Sequence, residues 1–119
     1  MPCNNSGFTD PVSTKGWGIV DFDWSNAKEI WAKNKPMNDE EMLFQQVQMT
    51  TAASPGTTVW VYRCSVYAYP WYTSVRTILD DPAYAPWFIH FKPNGPYINP
   101  PCWNETGSPG RPYARLTST

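Results

Sequence analysis

The 119-residue chain is short of several chemistries. It has one histidine, His90, so Ser–His or Cys–His nucleophilic catalysis would have to rest on that single imidazole, in an apolar run that suits a structural role. Its three cysteines, Cys3, Cys64 and Cys102, form no CxxC pair, which excludes a zinc-ribbon or zinc-finger signature. Nine basic residues stand against ten acidic ones, for a net charge of −1. That balance lacks the clustered Lys/Arg footprint of a nucleic-acid partner. No apolar run approaches the roughly 20 residues of a membrane span. The start, Met-Pro-Cys-Asn-Asn-Ser-Gly, lacks the basic and apolar regions of a signal peptide. No internal repeat is visible, and no cofactor fingerprint is present.

Aromatics are abundant instead: seven Trp, seven Tyr and five Phe, beside thirteen Pro. Trp and Tyr offer a flat apolar face with a polar handle, suited to sugar rings as well as to cores. Each ring has core packing as its competing role. Cys64 falls in an apolar strand pattern and reads as a small buried hydrophobe. Cys3 and Cys102 lie in Pro/Asn-rich segments and can pair in an oxidising compartment. Asn4-Asn5-Ser6 and Asn104-Glu105-Thr106 are glycosylation sequons, in keeping with secretion.

The chain is organised around Trp17-Gly-Ile-Val-Asp-Phe-Asp-Trp-Ser-Asn26. The spacing predicts a strand at about 17–22, apolar enough to be covered on both faces. It ends in acid and turns into a helix at about 26–33, capped by Ser25 or Asn26, with Ala27, Ile30 and Trp31 on one face. Asp21 and Asp23 leave the strand on the same side, roughly 6–7 Å apart. In α/β folds ligands bind outside the carboxyl ends of the strands, which makes these two acids rim candidates. A structural role competes for each: Asp21 as a buried, hydrogen-bonded acid and Asp23 as a turn or cap residue.

Residues 1–16 read as an irregular lead-in. A second helix begins at Asn38, an Asn cap with Glu41 three positions on, close to a capping box. Its first-turn acids suit the helix dipole, and Leu43, Phe44, Val47 and Thr51 form its stripe. Ser54-Pro55-Gly56 stops it. A second doubly covered strand is expected over 57–66, parallel to the first, which places Arg63 near Asp23 at one rim. Tyr67–Tyr72 reads as a βα loop, followed by a helix at 74–79. Asp81-Pro82 starts another short helix, leading into the Trp87–Phe91 run that holds His90. The fold class expected is α/β: a partial (β/α)-barrel-like domain over 17–102 with about two parallel strands, and a disordered tail at 103–119.

Pro2-Cys-Asn-Asn-Ser-Gly-Phe-Thr-Asp-Pro11, Gly18-Ile-Val-Asp-Phe-Asp-Trp-Ser-Asn-Ala-Lys28, Val59-Trp-Val-Tyr-Arg63 and Leu79-Asp-Asp-Pro-Ala-Tyr-Ala85 with Trp87-Phe-Ile-His-Phe91 carry a family likeness. Over about residues 2–102 the chain resembles the N-terminal part of a largely uncharacterised eukaryotic family of extracellular proteins from algae, plants and oomycetes. Members of that family resemble glycoside-hydrolase-type (β/α)8 barrels. Residues 103–119 depart from its pattern. The resemblance implies an extracellular, carbohydrate-active protein. A barrel of this kind takes about 250 residues, so about two β/α units would form a piece of one, with the family's downstream acidic cluster missing. Catalysis by this chain alone is therefore not expected, and two parallel strands would leave unpaired edges.

Substrate-binding candidates are Asp21, Asp23, Trp24, Tyr62, Arg63 and Trp71, with Tyr72 as a further platform ring. Glycoside hydrolysis needs two carboxylates about 5–10 Å apart on opposite sides of the scissile bond, and two acids from one strand do not supply that. Three functions stay open: a carbohydrate-active fragment, a non-catalytic glycan- or cell-wall-binding module, and a truncated product with no independent function. Substrate, linkage and oligomeric state are not legible.

Overall fold

The computed structural model describes residues 2–79 and 81–88, together with the backbone of 114 and 115. Two compact units emerge, Met1–Arg63 with Trp71–Ser74, and Cys64–Pro70 with Val75–Thr119.

The first unit is an α/β arrangement. Strand β1 (Ile19–Phe22) pairs in parallel with β2 (Thr58–Val61), Ile19 opposite Thr58 and Phe22 opposite Val61. Between them run α1 (Lys28–Trp31) and α2 (Asp39–Ala53). The parallel pairing matches the expectation from sequence, but both strands are shorter than expected and covered on one face only. Val20 and Phe22 are buried, whereas Ile19 and Trp60 on the other face are each 63% exposed. An apolar run signals a strand without saying how many faces its neighbours cover, and here helices cover one.

Helix α2 begins at Asp39 and ends at Ala53, close to the boundaries read from its Asn and Ser-Pro-Gly signals. The capping mechanism differs: Asn38 makes no side-chain cap bond, and its Oδ1 accepts from Asn34 Nδ2 at 2.6 Å. The buried stripe differs too. Asp39, Leu43, Gln46 and Thr50 face inward, while Phe44 is 64% exposed. These positions share a helix face at i, i+4, i+7 and i+11, rotated by one position from the apolar set. The rotation is compensated by hydrogen bonds. Gln46 Oε1 accepts from the Thr9 N–H (2.8 Å) and Asn26 Nδ2 (3.0 Å), and its Nε2 donates to the Thr9 carbonyl (3.0 Å) and Thr50 Oγ1 (3.1 Å).

Residues of the lead-in thereby become part of the core. Thr9 and Thr14 are buried, and Pro11–Thr14 form a 3-10 turn whose first N–H groups are capped by Asp10. Asn26, the expected cap of α1, is instead fully buried and accepts from the Asn4 N–H and Thr9 Oγ1. Ala27 takes the cap position with φ 54°, and its N–H donates to the Asn4 and Gly7 carbonyls. A left-handed alanine is costly by itself; those backbone bonds hold it.

In the second unit, β3 (Tyr67–Ala68) pairs antiparallel with β4 (Ala114–Arg115). A strand therefore lies where a βα loop was expected, and the 57–66 strand stops at Val61. Helix α3 (Thr73–Leu79) starts in the first unit and continues into the second. Asp81 caps the following 3-10 turn, Pro82–Trp87, accepting from the Ala83 N–H at 2.9 Å, as the Asp-Pro signal predicts. Ala68, Val75 and Phe88 are buried. His90, Cys102 and all of the 103–119 tail apart from β4 lie outside the described residues.

Candidate functional site

The carboxyl end of β1 brings together Asp23, Ser25 and Cys3. Asp23 follows β1 directly. Its Oδ1 accepts from the Ser25 N–H at 2.8 Å and from Ser25 Oγ, and it receives the Cys3 thiol at 3.4 Å. The Asp23 N–H in turn donates to Cys3 Sγ at 3.3 Å. Burial pushes the Cys3 thiol pKa up, so Cys3 is a neutral partner rather than an activated nucleophile. Cys3 is a free thiol, hydrogen-bonded within this turn; its suggested partner Cys102 lies outside the described residues.

The first residue of α2 supplies the second acid. Asp39 is fully buried, and neither carboxyl oxygen has a hydrogen-bond partner among the described residues. Its backbone N–H donates to the Trp71 carbonyl at 3.3 Å. Burial first, then the negative charges of Asp23, Glu40 and Glu41, push its pKa from 3.8 up to about 8. At neutral pH Asp39 is therefore a protonated acid, able to give a hydrogen bond or a proton where an ordinary aspartate only accepts.

Aromatic rings pack around this turn. Trp71 lies 5.7 Å from Trp31, nearly stacked at 29°, and 5.6 Å from Trp24, tilted by 47°. Trp31 Nε1 donates to the Trp24 carbonyl at 3.0 Å, and Lys28 Nζ stands 5.1 Å from the Trp24 ring. Trp31 and Tyr72 are buried, while Trp24 and Trp71 keep part of their surface in solvent.

Arg63 does not approach Asp23 as the parallel crossover suggested. Its Nη1 pairs with Glu40 Oε1 at 2.9 Å, its Nη2 donates to Ser74 Oγ at 2.8 Å, and its guanidinium lies 4.8 Å from the Tyr72 ring. Glu40 also accepts from the Ser74 N–H at 2.7 Å, near the start of α3. This cluster bounds a groove of about 380 Å³ whose walls include Leu43, Phe44, Val47, Val59 and Val61. Tyr62 lines the same groove and is half exposed. Glu40→Ala is expected to lower stability by about 1 kcal/mol through the lost cap at Ser74. The Arg63–Glu40 coupling in a double-mutant cycle of chemical denaturation should stay below about 1 kcal/mol, because both groups are partly exposed.

Of the sequence candidates, Asp23, Trp24 and Trp71 therefore gather at one turn, and Tyr62 and Arg63 line the groove. Asp21 is placed elsewhere, within β1 opposite Trp60. Asp39 was legible only as a favourable first-turn charge. Nothing in Asn-Asp-Glu-Glu marks the first acid as the buried one, because burial depends on where residues 71 and 72 return. Among the described residues no cluster of three or more His, Cys, Asp or Glu side chains could hold a metal ion, and no helix is long and apolar enough to cross a membrane. Comparison with family models, curated proteins and solved structures found no match.

Proposed function

We propose that the chain is a glycoside-hydrolase-like β/α domain that binds carbohydrate at the carboxyl rim of its parallel strands, without turnover. The observation that carries this is the Asp23–Asp39 environment: a solvent-accessible aspartate turn beside a buried, protonated carboxyl, flanked by the partly exposed rings of Trp24 and Trp71. Sugars offer hydroxyl groups that both donate and accept, and apolar ring faces that stack on indole. A carboxylate that accepts next to an aromatic face matches both features.

Turnover is absent from the proposal because Asp39 is sealed. A general acid must reach the glycosidic oxygen at hydrogen-bond distance, and a side chain with no exposed surface does not. The rim rings pack on one another rather than lying coplanar in solvent, unlike the flat aromatic platform of a surface-binding module.

Titration calorimetry of the 119-residue chain against soluble cell-wall oligosaccharides is the test. Binding should fall at least about tenfold in Asp23→Ala and in Trp24→Ala, the size of one lost charged hydrogen bond or one lost ring face. No heat with any oligosaccharide, or binding that survives both substitutions, would rule the rim site out. Reducing-sugar release above background would contradict the absence of turnover.

A further inference from the structure

We propose that the chain forms a twofold-symmetric dimer by pairing the outer edge of β2 with the same edge of a second copy, antiparallel and centred on Trp60. The Thr58 and Tyr62 N–H groups donate to Gly18 and Phe22 of the β1 side. Backbone polarity alternates along a strand, so the Val59 and Val61 N–H and C=O groups point to the opposite edge. Among the described residues no strand pairs with that edge. The side chains along it are open to solvent: Trp60 is 63% exposed and Val61 45%.

An edge of this kind invites another chain, and the sequence selects a copy of itself. With the twofold axis at Trp60, Val59 lies opposite the partner's Val61, and Val61 opposite the partner's Val59. Those are the residues whose edge groups have no strand partner among the described residues, so each pair closes a complete ring of exchanged hydrogen bonds. Trp60 then meets the partner's Trp60 in a non-hydrogen-bonded pair, with Cα atoms about 4.5 Å apart and side chains at their closest. Cross-strand aromatic pairs are among the stabilising ones.

Charge permits the register. Residues 54–62 carry no charged side chain, and Arg63 falls opposite the partner's Thr57, so no like charges are opposed. The helical face agrees as well. Phe44, 64% exposed, lies with Val47, Val59 and Val61 along the groove beside β2. A twofold axis through the β2 seam brings the two α2 helices to the same side of the enlarged sheet, where each Phe44 gains apolar cover.

Sedimentation equilibrium of the full chain should show a closed monomer–dimer exchange. Val61→Pro removes an N–H that the β1 ladder does not use, so the fold persists while the seam loses a hydrogen bond twice by symmetry. The dimer should weaken about 10- to 100-fold. Trp60→Cys should crosslink two chains under mild oxidation, because the expected spacing suits a disulfide. Thr58→Cys should not, since its two copies would lie about 13 Å apart along the strands. Unsubstituted chain under the same oxidant controls for Cys3, Cys64 and Cys102. A monomer at all concentrations, open-ended association, or a dimer indifferent to Val61→Pro overturns the proposal. Should Val61→Pro fail to fold, the crosslinks decide alone, and equal yields at positions 58 and 60 overturn it.

Discussion

Asp39→Asn is expected to raise stability at about pH 8 by on the order of 5 kcal/mol while leaving it nearly unchanged at about pH 4. The folded-state pKa of Asp39, about 8, lies above its ordinary value of 3.8. Between those values the folded chain holds a proton at Asp39 that the unfolded chain has released. Stability therefore falls as pH rises, by about 1.4 kcal/mol per pH unit. It is full below about pH 4, and the loss is complete above about pH 8. An asparagine amide has nearly the same shape, does not titrate and stays neutral throughout. The substitution should flatten the window rather than shift it. Thermal melts followed by circular dichroism at a series of pH values read this directly, and about 20 °C separates the two chains at the alkaline end for a domain of this size. A parallel slope in both chains would mean that Asp39 is ionised or solvated when folded, and the protonated-acid environment would be lost with it.

Gln46→Leu is the second large effect. Gln46 is fully buried in the middle of α2 and uses both amide donors and both carbonyl lone pairs on Thr9, Asn26 and Thr50. Leucine fills a similar volume, so little cavity forms. The cost comes from the groups left behind: the Thr9 N–H and C=O and the Asn26 amide stay buried with fewer partners. Each orphaned polar group costs about 1–3 kcal/mol, and the expected total is about 3–5 kcal/mol, a drop of about 12–20 °C in Tm. A loss below about 1 kcal/mol would mean that the lead-in separates from α2 without penalty. The substitution also reports on the fold, because the first ten residues are tied to α2 chiefly through this side chain. Limited proteolysis should cut the Gln46→Leu chain near residues 5–10 well before the unsubstituted one.

Both effects arise from the buried face of α2, which shows what local pattern cannot carry. The beginning and end of α2 lie where Asn38 and Ser54-Pro55-Gly56 mark them, although the Asn38 side chain bonds Asn34 and not the helix N–H groups. The Asp81 cap and the parallel β1–β2 pairing are of the same kind: local hydrogen-bonding chemistry in one case, a strand–helix–strand order in the other. Apolar periodicity then pointed to Leu43, Phe44 and Val47 as the inward stripe. The helix instead turns Asp39, Gln46 and Thr50 inward beside Leu43: Thr9 and Asn26 satisfy Gln46, Gln46 bonds Thr50, and Asp39 is buried without a carboxyl partner among the described residues. A pattern that scores only apolar residues has no means of seeing those partners.

The rim divides in the same way. Asp23, Trp24 and Trp71 were named from a strand end and an aromatic turn, and they do lie together. The charge relations were decided by tertiary structure. Arg63 takes Glu40 in place of Asp23, and Asp39 loses its charge where its neighbours keep exposed surface. By itself the sequence determined β1, the limits of α2 and the acid-bearing end of β1, all set by interactions between residues a few positions apart. Which face of α2 is buried and which acid is protonated depend on segments that meet across 20 to 37 residues of chain. Burial and electrostatics are properties of that meeting, so only the folded chain fixes them.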